Sequence, residues 1–193
     1  RTLAEAIRQF HMRSTAEDAE NRGGQKTART SLRPSALSAI DFASLEFRNL
    51  LQRFISVCNT IAYAHSKGVL HRDLKPANIM LGEYGETLVL DWGLAKRTDS
   101  PSGGHESPVT DRQADAPNSG AEGLTQHGQL LGTIPYMSPE QARGEPVGPA
   151  SDVYTLGAIL YEILAGRCPY HGLKGQDLLR GVREGTPTPP SSF

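Results

Sequence analysis

The chain has 193 residues, a net charge of −1 and 37% hydrophobic residues. That composition suits one soluble globular unit and speaks against a disordered or membrane-spanning chain. The balanced charge gives no ground for nucleic acid or an acidic lipid surface as partner, and neither a run of 18 apolar residues nor a signal peptide is found.

Thr2-Leu3-Ala4-Glu5 is a capping-box pattern that predicts a helix start, with Leu3, Ala6, Ile7 and Phe10 on one face. Residues 11–41 carry no sustained apolar period and read as a polar loop. Residues 43–67 predict the clearest helix, with Phe47, Leu51, Phe54, Cys58, Ile61 and His65 recurring at three and four, and Gly68 as its stop. On that stripe His65 reads as a satisfied core histidine, and Val69-Leu70 as a short strand. Ile79-Met80-Leu81 and Thr87-Leu88-Val89-Leu90, joined by Gly82-Glu83-Tyr84-Gly85, predict a β-hairpin.

Residues 97–128 are rich in Ser, Thr, Gly, Pro, Asp and Glu and read as a flexible insert. Pro149 and Asp152 open a helix to about Leu164 that is apolar nearly all round, which predicts a core helix. Residues 176–184 predict a last short helix, followed by an extended tail with Pro187, Pro189 and Pro190. Cys58 and Cys168 have no CxxC partner, so no disulfide framework or zinc site is implied and a reducing cytoplasm is expected.

The hairpin has a chemical consequence. Closing it brings Asp73, Lys75 and Asn78, just before its first strand, towards Asp91, just after its second. Two carboxylates, an ammonium and an amide then converge. Mg²⁺ is held by oxygen ligands, commonly one or two carboxylates plus substrate phosphates. Phosphoryl transfer asks of a protein mainly positioning and charge neutralisation.

His71 to Asn78 resembles the H-R-D-x-x-x-x-N catalytic loop of the protein kinases, and Asp91-Trp92-Gly93 resembles their D-F-G with Trp for Phe. The stretch Gly132 to Glu140 is similar to their substrate-docking loop ending in A-P-E, with Ser138 for Ala. Ser151 to Gly157 is similar to the start of their buried central helix. The style is that of bacterial eukaryote-like (Hanks-type) serine/threonine kinases. The resemblance implies an α+β protein-kinase-like fold: a mainly helical C-terminal lobe with a small β-hairpin at the catalytic site. Residues 1–193 would be a partial kinase domain, with polar insertions at 11–41 and 97–128. The N-terminal lobe would be absent, since no G-x-G-x-x-G and no strand-borne phosphate lysine are found.

By that resemblance the cofactors are ATP and Mg²⁺, with Mn²⁺ as an alternative ion, and the partners are protein substrates. Asp73 orients or deprotonates the substrate hydroxyl, and Lys75 neutralises the transferring phosphoryl. Asn78 and Asp91 hold the metal. Thr133 with Lys75 points to Ser/Thr substrates; a Thr hydroxyl there could tie the docking loop to Asp73 and Lys75. Asp152 braces the His71-Arg72 turn, although a first-turn carboxylate is also favoured by the helix dipole alone. Glu140 would pair with an Arg beyond Phe193 and so lack a partner here. Thr125 is a candidate phosphosite whose phosphate could pair with Arg72. Any dimer would run through the missing lobe, and any membrane attachment through segments outside this chain. The alternatives are a pseudokinase scaffold that keeps the fold without the reaction and, more weakly, a small-molecule phosphotransferase. The chain alone is expected to show little activity and to expose apolar surface.

Overall fold

The computed structural model describes residues 1–22, 44–97 and 132–190, with only the backbone described for 16–22. Helix α1 (Leu3–Arg22) begins at the Thr2/Glu5 box. Thr2 N donates to Glu5 Oε2 at 2.9 Å and Glu5 N to Thr2 Oγ1 at 3.2 Å. Leu3, Ala6, Ile7 and Phe10 are buried. The helix continues to Arg22, so the first part of the expected 11–41 loop is helical. That stretch is rich in good helix formers such as Met12, Arg13, Ala16, Glu17, Ala19 and Glu20. Helix propensity needs no apolar period, which is why periodicity does not reveal this stretch. The rest of that insertion, from residue 23 to 41, lies outside the described residues.

Helix α2 (Leu45–Ser66) is capped by Ser44, whose side chain accepts from Phe47 N at 3.2 Å. Its buried face is Phe47, Leu50, Val57, Ile61 and Ala64. The expected Leu51, Phe54 and Cys58 flank that face and pack on the core's edge. Gly68 follows with φ 68°, the left-handed turn that lets the chain double back. Strand β1 (Val69–Leu70) then leads into the loop from His71 to Asn78. Strands β2 (Ile79–Leu81) and β3 (Thr87–Val89) form the hairpin in antiparallel register Ile79 with Val89, Met80 with Leu88 and Leu81 with Thr87. Strand β4 (Lys96–Arg97) pairs with β1, so Arg97, assigned above to the polar insert, is part of a ladder opposite Val69.

Helix α3 (Pro139–Arg143) is short and capped by Ser138. Helix α4 (Pro149–Ala165) supplies Leu156, Ala158, Ile159, Ile163 and Ala165 to the interior. Leu156, Ile159 and Ile163 join Leu3, Ile7, Val57, Ile61, Leu74 and Ile79 in the main core. Each fully buried aliphatic side chain there contributes roughly 1.5–3 kcal/mol. The helix is not buried all round: Val153 is 58% exposed. A nearly continuous apolar sequence carries no period that marks which side faces out. Helix α5 (Gly175–Glu184) packs on α3 around a second, smaller core of Ala142, Tyr170, Leu178 and Val182. Among the described residues no helix is long and apolar enough to cross a membrane.

Candidate active site

The loop from His71 to Asn78 is held from below by Asp152, in the first turn of α4. Its carboxylate is buried to 1% exposure and accepts from His71 N (Oδ2, 2.9 Å) and Arg72 N (Oδ1, 2.9 Å). His65 of α2 adds a third contact, Nε2 to Oδ2 at 2.8 Å. Arg72 has φ 71°. A left-handed backbone costs a non-glycine residue roughly 1–2 kcal/mol, so it persists only where neighbours enforce it. The two backbone hydrogen bonds that Asp152 accepts, from His71 N and Arg72 N, supply that enforcement.

His71 is fully buried and links the loop to the far side of the hairpin. Its Nε2 faces Leu90 O at 3.1 Å, and its Nδ1 accepts from Asp73 N at 3.3 Å. A carbonyl can only accept, so Nε2 carries the proton. Leu90 N in turn donates to Asn78 O at 2.8 Å, which closes the base of the hairpin and sets Asp91 next in the chain after a residue bonded to the His71–Asn78 loop. Asp91 has φ 63°, a conformation that Asp tolerates better than most residues. Trp92 lies against His71 with ring centroids 4.5 Å apart and donates its indole N–H to Val89 O at 3.0 Å. The Trp-for-Phe exchange therefore leaves no buried donor unsatisfied.

Asp73, Lys75, Asn78 and Thr133 form one hydrogen-bonded group. Lys75 Nζ donates to Asp73 Oδ2 at 3.0 Å and to Thr133 Oγ1 at 2.9 Å. Asn78 Nδ2 donates to Asp73 O at 3.0 Å and lies 3.3 Å from Asp73 Oδ2. The amide's donor side is thus spent on Asp73, which leaves its oxygen as the atom available to a cation. Among the described residues no three His, Cys, Asp or Glu side chains are placed to hold a metal by themselves. Asn78 and Asp91 offer only hard oxygen donors, a set that fits Mg²⁺ held jointly with phosphate oxygens.

Glu140 is not without a partner. The Ser151 hydroxyl donates to its Oε1, from the start of α4. Burial pushes the Glu140 carboxyl up, but hydrogen bonds from Ser151, its own backbone N–H and Ser138, with the Arg143 charge, outweigh it and hold it below the ordinary carboxylate value. Arg72 Nε is buried with no hydrogen-bond partner among the described residues. Thr125 lies outside the described residues.

Three participants were missed by sequence reasoning. His65 braces Asp152 from 87 positions away. Tyr136 of the docking loop donates to Glu162 Oε2 of α4 at 2.5 Å. Gln141 reaches Arg72 O. Only the last had a local signal, since Ser138-Pro139-Glu140-Gln141 is itself a capping-box pattern.

A helical lobe with a loop of Asp, Lys and Asn bonded to the threonine of a following loop, and a second Asp just beyond the hairpin that the first loop enters, defines a protein-kinase catalytic lobe. The family model described as "Protein kinase domain" matches residues 39–187, and the chain belongs to that family. It is 43% identical over 144 residues to the serine/threonine-protein kinase PknD of Protochlamydia amoebophila, covering 74% of this chain and 14% of that protein. It is 35% identical over 152 residues to the probable serine/threonine-protein kinase PknB of Corynebacterium glutamicum, covering 79% of this chain and 20% of that protein. The chain therefore spans between a seventh and a fifth of the length of these two relatives. Among solved structures, the twitchin kinase region from C. elegans superposes with a TM-score of 0.52 at 26% identity, over 74% of this chain and 21% of that one.

Proposed function

We propose that the protein transfers the γ-phosphoryl group of ATP to serine or threonine hydroxyls of protein substrates. The observation that carries the reading is the bridge from Lys75 Nζ to both Asp73 Oδ2 and Thr133 Oγ1. It ties the carboxylate that would receive the substrate hydroxyl to the loop that would present the peptide. Asp73 orients that hydroxyl and takes its proton. Lys75 offsets the charge of the phosphoryl group, and its contact with Thr133 sets the peptide loop against the same carboxylate. Asn78 and Asp91 would hold Mg²⁺, which supplies charge neutralisation between the phosphates when bound. Arg72, with its unsatisfied buried Nε, is the natural receiver of a phosphate on the 98–131 segment, for which Thr125 is our candidate. Residues 1–193 contain no G-x-G-x-x-G, so this stretch alone is expected to transfer little phosphate. Protein partners and a cytoplasmic site of action are part of the same reading.

The test uses the full reading frame that encodes this chain, expressed as wild type and as Asp73→Asn, incubated with Mg-ATP and mapped by mass spectrometry. Phosphate on Ser or Thr in the wild type, reduced about 10²–10⁴-fold in the variant, is the expected result. No phosphate in either protein would sink the enzyme reading and favour a scaffold.

A further inference from the structure

We infer that Gln141 is a positioning residue for the reaction, acting on the peptide unit between Arg72 and Asp73. This rests on the kinase reading above. Gln141 is the third residue of α3, and its side chain makes two kinds of bond at once. Its Oε1 accepts from Ser138 N at 3.1 Å and lies 3.1 Å from Ser138 Oγ, while Gln141 N donates back to Ser138 Oγ at 3.3 Å. That is a complete capping box. A backbone N–H can only donate, so the Ser138 N contact assigns Oε1 and fixes which end of the amide is nitrogen. The nitrogen then points away from α3 and donates to Arg72 O at 2.8 Å.

Arg72 O belongs to the same planar peptide as Asp73 N. That plane is held at both ends: Asp73 N donates to His71 Nδ1, and Arg72 O accepts from Gln141 Nε2. On the other side of the same residue, Arg72 N is held by Asp152 Oδ1. A residue in the left-handed region is therefore clamped between α4 and α3, and the orientation in which Asp73 leaves it depends on both. Asp152 comes from the core, but Gln141 comes from the helix that directly follows the docking loop. The catalytic carboxylate thus takes part of its position from the element that would carry the peptide.

Chemistry separates the two duties of this side chain. Glutamate at the third position also completes a capping box, because a carboxylate oxygen accepts from Ser138 N as well as an amide oxygen does. Its second oxygen, however, is an acceptor and meets Arg72 O, another acceptor. Gln141→Glu keeps the cap and removes the clamp.

The experiment measures steady-state phosphoryl transfer by the full protein as its gene encodes it, with Mg-ATP and casein, for wild type, Asp73→Asn and Gln141→Glu, beside thermal unfolding of each. Expected for Gln141→Glu is an unfolding midpoint within a few degrees of wild type, an unchanged KM for ATP, and a kcat lowered roughly tenfold to hundredfold, the scale of an ångström-sized misplacement at a reacting centre. A merely structural role would move the midpoint and leave kcat. Gln141→Met keeps the length but neither hydrogen-bonding group, so it is expected to match Glu in kcat while also losing the cap's share of stability. Wild-type transfer with kcat unchanged in both variants overturns this inference alone. A wild type that transfers nothing overturns it together with the kinase reading.

Discussion

His65 and Asp152, 87 positions apart, meet at 2.8 Å beneath the His71–Asn78 loop, so that one carboxylate serves a histidine of α2 and two backbone amides of the loop. Asn at 152 keeps the shape, but its nitrogen cannot accept, so one of the two amides loses its acceptor. We expect Asp152→Asn to cost about 1–3 kcal/mol, the penalty of one buried unsatisfied group. Asp152→Ala strands every partner and is expected to cost about 3–5 kcal/mol. Urea unfolding of the two variants decides it; equal midpoints for Asn and wild type would remove Asp152 as the brace.

Glu162 gives a pH-dependent expectation. Burial lifts its carboxyl above the ordinary 4.5, against the lowering effects of the Tyr136 hydrogen bond and the Arg8 charge. A raised folded-state pKa means that the folded chain holds the proton more tightly than the unfolded one. The resulting stability is complete below 4.5 and is lost as pH rises through the folded value. Gln at this position still accepts from Tyr136 and never ionises. Relative to wild type, Glu162→Gln is therefore expected to gain stability as pH rises above 4.5 and through the folded value. Denaturation midpoints of the two proteins across that range supply the check, and a pH-independent difference would refute the account.

Gly166 caps α4 at φ 71°, and a Cβ there would come within 2.8 Å of His11 Cγ. His11 is not at liberty to swing away, because its Nε2 contacts Ile163 O at 2.9 Å. Gly166→Ala combines left-handed strain of roughly 1–2 kcal/mol with loss of that bond. We expect more than about 2 kcal/mol of destabilisation, the sum of strain and one hydrogen bond. Gly144→Ala, also at positive φ (73°) but with open space around its Cβ, provides the comparison and is expected to show the strain alone. Matching losses in the two variants would show that His11 contributes nothing.

Much of this arrangement was legible in the chain. The hairpin could be read because two apolar runs around a Gly-containing turn have one sensible pairing, and that pairing alone directs Asp91 back towards Asn78. The start of α1 could be read because Thr2 and Glu5 bond within three residues. What escaped has physical reasons. The extension of α1 to Arg22 is built from good helix formers with no apolar period, so periodicity does not mark it. The outward face of α4 escaped for the opposite reason, since Val153 is as apolar as its buried neighbours. The partner of Glu140 is set by how α3 meets α4, which places Ser151 where a residue outside the chain was expected. His65 and Glu162 are likewise defined by partners on other elements.

Trp92 is the single tryptophan of the chain, and it stands on His71 and reports to Val89 within the turn that carries Asp91. The indole is therefore a native optical probe sited at the turn that carries Asp91. Its emission follows solvent access and ring contact there and nowhere else in these residues. Changes at that turn can be followed in unlabelled material on the stopped-flow timescale, with no reporter dye to disturb it.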